Sequence, residues 1–170
     1  MRSILRASPA VGKNATALPL TLERLAAHLP DHGADAQAQG AASDVLRYFD
    51  IAAPAHHDDE ELHVFPAVRA GGDAALIAAV AWLQQDHHEL ARQWTALRPS
   101  LQAVADGAWE PTQAEAPVAR WQAFAALYGG HIEAEEGLVF PAAAARLDTP
   151  ALQRMGAEMA SRRGLPAALR

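Results

Sequence analysis

The segment HHDDEELHVFP at 56–66 returns as HIEAEEGLVFP at 131–141. The chain therefore carries His-x-x-x-Glu-Glu-x-x-Val-Phe-Pro twice, 75 residues apart. His56 and Glu60 are four positions apart, as are His131 and Glu135. A spacing of four puts both side chains on one face of an α-helix, one turn apart. One such pair alone is most simply a surface contact worth a few tenths of a kcal/mol. Two copies, with the second Glu and the Val-Phe-Pro kept in place, ask for more. Two facing helices that each offer an imidazole and a carboxylate can clamp a pair of metal ions. The carboxylates bridge and the imidazoles cap.

The 170 residues contain no Cys. Disulfides, thiolate zinc sites, Cys-held iron–sulfur clusters and Cys nucleophiles are excluded. A metal here must be held by imidazole and carboxylate, a donor set that suits iron, manganese or zinc. With 14 basic and 20 acidic residues the net charge is -6, which argues against nucleic acid as a partner. Hydrophobic residues make up 51% of the chain, enough for one buried core. No apolar run reaches the ~18 residues of a membrane span. The start, MRSILRASPAVGKNATALPL, is interrupted at Arg6 and has no clean apolar stretch, so it does not read as a secretory signal. The lack of acidic residues before Glu23 is shared with transit peptides. A cytoplasmic protein is the favoured reading.

Strand patterning is nearly absent. LERLAAHL at 22–29 spaces Leu at i, i+3 and i+7, drawing one apolar stripe. A second helix is expected from about Asp35 to Val68, kinked or loosened at Pro54. Gly71-Gly72 stops it, and Asp73 caps a third helix that should end before Pro99. Residues 99–117 read as a linker and a fourth helix follows from Val118. These lengths imply an all-α, up-down-up-down four-helix bundle at 19–147. An irregular segment (1–18) precedes it and a short helical tail (148–170) follows.

In an antiparallel hairpin, residues equally far from the turn lie level. Reflecting position 56 through the turn at 71–72 lands on residue 87, a His. His88 would face about 100° away. The same reflection through the first turn lands on Gly12, with Asn14 nearby. His28 and His32 fall ~24–30 Å from that level and read as turn residues. Asp58 and Asp59 read as solvated charge, and Glu61 and Glu136 as surface or supporting residues. His63 is expected in the core or at the end of the bundle, and Tyr128, three positions before His131, is a lesser candidate for a hydrogen bond near the site. Trp82, Trp94 and Trp121 are expected in the core, and Val-Phe-Pro in packing.

With VLRYFDIAAPAHHDDEELHVFP, DHHELARQWTALRP and YGGHIEAEEGLVFPAAAARL, the chain resembles the hemerythrin-like family, also called HHE cation-binding domains. The resemblance runs from about Pro19 to the tail. It implies metal ligation by His56 and Glu60 from the second helix, and by His131 and a bridging Glu135 from the fourth. The third-helix pattern of His, Leu three on and Trp seven on fits His87, Leu90 and Trp94. Two positions depart from the family. Gly12 stands where an early His is usual, and Leu83 or Ala91 stands where oxygen carriers have a second third-helix His. One ion is then under-ligated, and the ion near His56 should be held less firmly than that near His87 and His131.

The resemblance implies a protein that holds one or two non-haem iron ions and binds or senses dioxygen or a related small gas. One alternative is a di-iron oxidase or peroxidase, for which no separate acid, base or nucleophile is evident. The other is a metal-free degenerate bundle serving as an interaction module.

Overall fold

The computed structural model describes residues 17–110 and 115–164. Helix α1 spans Leu18–His32 and α3 spans Ala74–Ala105. Helix α2 runs from 36 to 69 as three α segments, Ala36–Arg47, Ala53–Asp59 and Phe65–Arg69. They are joined by π turns at Tyr48–Ala52 and Glu60–Val64. Helix α4 runs from 115 to 144 and holds a π turn at Glu135–Val139. Helix α5 spans Thr149–Arg162. No strand occurs among the described residues. Gly12 and Asn14, the positions of interest for the first helix, lie outside them.

Three helices start on the aspartates the turns supply. Asp35 accepts from the Ala38 amide, Asp73 from those of Ala75 and Leu76, and Asp148 from that of Ala151. Each satisfies a donor that the first turn leaves free. Gly72 has φ 72°, the left-handed geometry that lets α2 reverse into α3 without a Cβ clash.

Helices α1 to α4 pack as a ring, α1 on α2, α2 on α3, α3 on α4 and α4 on α1, an arrangement consistent with a four-helix bundle. Two apolar clusters divide it along its length. One joins Leu22, Leu25 and Leu29 of α1 to Phe49, Leu97, Leu101, Trp121 and Phe124. The other joins Phe65, Val68, Val80, Leu83 and Val139 to Met155 and Met159 of α5. In α2, α3 and α4 alike, the candidate ligands lie where these clusters adjoin: His56 and Glu60 between Ala53 and Val64, His87 between Leu83 and Leu90, and Glu135 between Ile132 and Val139, with His131 next to Ile132. Helix α1 contributes only to the first cluster and α5 packs on the second.

Three sequence expectations are corrected. Helix α3 does not stop at Pro99 but continues to Ala105. Leu97, Leu101 and Val104 are fully buried or nearly so, and Pro99 itself is exposed. The apolar stripe thus holds the helix together across a residue that costs it a hydrogen bond. Trp82 is 45% exposed rather than in the core. Asp59 is 5% exposed rather than solvated, because Arg162 and Arg163 of α5 both bond its carboxylate. No described helix is long and apolar enough to cross a membrane.

Candidate metal centre

The two motif copies meet through α2, α3 and α4. Glu60, His131 and Glu135 are only 1–2% exposed, and His87 is 8% exposed. His88 faces solvent. His28 and His32 stack on each other near the first turn, where His28 pairs with Asp35.

The carboxylates divide their oxygens. Glu60 sets Oε1 3.4 Å from Nε2 of His56 and Oε2 3.3 Å from Nε2 of His87. Glu135 sets Oε2 3.7 Å from Nε2 of His56 and Oε1 2.5 Å from Nε2 of His131. Each glutamate therefore turns one oxygen toward His56 and the other toward the His87 and His131 side. Two carboxylates so disposed can bridge two cations. Glu60, His87, His131 and Glu135 each have a ligand atom within 4.8 Å of the others'.

Apart from His131 Nε2 and Glu135 Oε1, which face each other at 2.5 Å, the donor atoms have little other employment. Among the described residues, buried side-chain N and O atoms without a hydrogen-bond partner are His28 Nε2 and eight atoms of this cluster. The eight are both Glu60 oxygens, Glu135 Oε1, His57 Nε2, His87 Nε2, both His131 ring nitrogens and Asp86 Oδ2. A buried polar atom left unpaired costs roughly 1–3 kcal/mol. So dense a set of orphans, all metal-binding types, fits a cation that satisfies them together.

The electrostatics agree with this. Burial, and then the nearby Glu135 carboxylate, hold the Glu60 carboxyl well above the usual range. Burial also acts against ionised Glu135, but hydrogen bonds from His131 and His56 outweigh it and lower its pKa. The opposite directions are those of a buried carboxylate pair that resists ionising together without a cation. Burial, then the neighbouring His131, lowers His87 to about 4. Burial, then His87, His56 and His131, lowers His57 to about 2. Both imidazoles stay neutral at physiological pH, the form that ligates.

The supporting contacts set ring orientation. His87 Nδ1 lies 3.1 Å from Glu61 Oε1, and Gln84 donates to the same carboxylate. With Nδ1 as donor, His87 presents the lone pair of Nε2 to the cluster. Behind the centre, Tyr48 and Tyr128 share a 2.6 Å hydrogen bond, and the Tyr128 ring stacks 6.3 Å from that of His131. Burial pushes Tyr48 up to about 12 and also raises Tyr128 well above the usual phenol range, so both phenols stay protonated.

Sequence reasoning missed two participants, His57 and Asp86. His57 follows His56 by one position, a spacing that normally sends a side chain off the shared face. Its ring nevertheless lies on His87, centroids 4.0 Å apart and planes 13° from parallel. Asp86 is buried with Oδ2 3.7 Å from His131 Nδ1, and precedes His87 without any motif to mark it.

A protein of Haemophilus influenzae, described only as uncharacterized, is 30% identical over 136 residues, covering 80% of this chain and 76% of its own length. Residues 16–143 match the description of the hemerythrin HHE cation binding domain. That match takes in both copies of the doubled motif and the third-helix histidine between them, and the chain belongs to the hemerythrin HHE cation-binding domain family.

Proposed function

We propose that the chain holds non-haem iron between α2, α3 and α4 and binds or senses dioxygen or a related small gas there. His56, Glu60, His87, His131 and Glu135 are the ligands in this reading. The observation that carries it is the division of each glutamate's oxygens between His56 and the His87–His131 side. Bound iron supplies a redox-active Lewis acid able to take a small diatomic ligand at a free coordination position.

The chain's own residues do the rest. Glu60 and Glu135 provide the negative charge that balances the cations. Glu61 fixes His87 through Nδ1. The hydrogen-bonded Tyr48–Tyr128 pair walls the interior beside His131. His56, with its side chain 18% exposed, marks the side nearest solvent.

Anaerobic loading with ferrous iron, followed by metal counting and an optical spectrum with and without dioxygen and nitric oxide, tests this. Retained iron and a gas-dependent spectral change are expected. Retained iron whose spectrum neither gas alters contradicts gas binding.

A further inference from the structure

His57 has no partner in the sequence repeat. Its counterpart after His131 is Ile132, which is buried in the apolar cluster on the α1 side. Adjacent positions on a helix diverge by about 100°. Here both imidazoles face inward, because the interior fills the arc between them. His56 turns toward α4, 6.2 Å from the Phe140 ring. His57 turns toward α3 and stacks on His87, its ring also 5.6 Å from that of His131. The α segment that carries both, Ala53–Asp59, is only seven residues long and is bounded by π turns on either side.

Packing alone does not account for this placement. His57 Nε2 is buried and bonds nothing. A ring stacked for its apolar face alone gains nothing from burying a bare nitrogen, which costs about as much as a lost hydrogen bond. His57, His87 and His131 each set a nitrogen within 4.8 Å of the others', close enough to share one cation.

We propose that His57 is a metal ligand, completing with His87 and His131 a three-imidazole position for one transition-metal ion. Resting on the reading that this cluster binds metal, the inference adds an unequal distribution of imidazoles. Three serve the ion on the α3–α4 side, and His56 alone serves the ion at the other carboxylate oxygens. The first ion is held tightly. The second keeps more free coordination positions and is the one that exchanges.

Cobalt(II) titration of the full chain tests this, read by its visible spectrum and by competition with a chelator. Wild-type protein is expected to take up one cobalt ion tightly and a second weakly. His57→Gln should weaken the tight ion at least about tenfold and change its spectrum. His56→Gln should spare the tight ion and remove the weak one. A His57→Gln protein that binds cobalt with unchanged affinity and spectrum overturns the inference and leaves the metal-centre reading intact. Wild-type protein that binds no cobalt overturns both. Should His57→Gln fail to fold, His57→Cys decides, since the chain has no other cysteine. A sulfur-to-cobalt charge-transfer band supports ligation from this position, and cobalt uptake without that band overturns it.

Discussion

The Glu60 carboxyl illustrates a conflict between stability and function. Burial, and then the nearby Glu135 carboxylate, disfavour its ionised form in the metal-free chain, and a bound cation would make that form welcome. Glu60→Gln copies the protonated shape. It should abolish tight metal binding while leaving the metal-free melting temperature unchanged or higher, as calorimetry at pH 7 would show. The same variant isolates the imidazoles. His57 and His87 have folded pKa values lowered from 6.5 to about 2 and about 4. The unfolded chain therefore binds more protons below pH 6.5, and stability present above that value is lost as pH falls. In wild type the raised Glu60 carboxyl acts with the opposite sign, its stability being lost as pH rises through its folded pKa. Without that carboxyl, the melting temperature of metal-free Glu60→Gln should fall steadily from pH 6.5 toward 4, and a flat profile would contradict the burial argument. His56, Glu60, His131 and Glu135 were legible in the sequence because the repeat marks them, and His87 because a hairpin reflection reaches it. His57 was not, since no periodicity assigns i and i+1 to one site. Asp59 was not, since the arginines that bury it lie about a hundred positions away in sequence.

The three π turns share one feature at the scale of the element. Each closes on a residue followed directly by proline: Ala53-Pro54, Phe65-Pro66 and Phe140-Pro141. The amides of Phe65 and Phe140 reach back five residues to the carbonyls of Glu60 and Glu135. Proline has no amide hydrogen and crowds the carbonyl four residues back, so a regular α turn is penalised there. The wider turn absorbs the defect and begins on the glutamate itself. Val-Phe-Pro thus packs, with Val64, Phe65 and Val139 almost wholly buried, and also shapes the turn that presents each carboxylate. Pro66→Ala supplies the missing donor. The turn should relax toward α geometry, lowering metal affinity about tenfold or more while the metal-free melting temperature holds or rises. Isothermal titration with cobalt beside calorimetry checks both halves. The sequence showed that Pro54 would disturb its helix, but not that the disturbance takes this form. Pro99 went the other way: buried Leu97, Leu101 and Val104 kept α3 continuous through it.

At the scale of the whole molecule, α1 and α5 divide the work of covering the other three helices. Helix α1 seals the cluster around Trp121, and α5 seals the cluster around Phe65. Helix α5 runs antiparallel to α2. Glu158 meets His63, Arg162 and Arg163 meet Asp59, and Arg163 also reaches the Ala55 carbonyl. These contacts pin the back of the segment that carries His56, His57 and Glu60. Asp59→Asn leaves the partly buried Arg163 without its anion and Arg162 with Glu158 alone, at a cost of about 1–3 kcal/mol. The expected result is a melting temperature lower by roughly 2–12 °C, with faster amide exchange in Thr149–Arg162. Unchanged exchange there would show that the apolar contacts of Met155 and Met159 suffice. The helical class and the order of the long helices were plain from apolar spacing and from capping aspartates. The role of α5 was not, because its contacts depend on side chains that only the assembled molecule brings together.

The central claim is that a buried set of imidazoles and carboxylates from α2, α3 and α4 shares metal. Anomalous diffraction at the iron absorption edge, on crystals grown from anaerobically iron-loaded protein, tests it most directly. A strong peak among Glu60, His87, His131 and Glu135, with a weaker one beside His56, is the predicted result. Iron found only on surface carboxylates, with that interior free of anomalous signal, would contradict it.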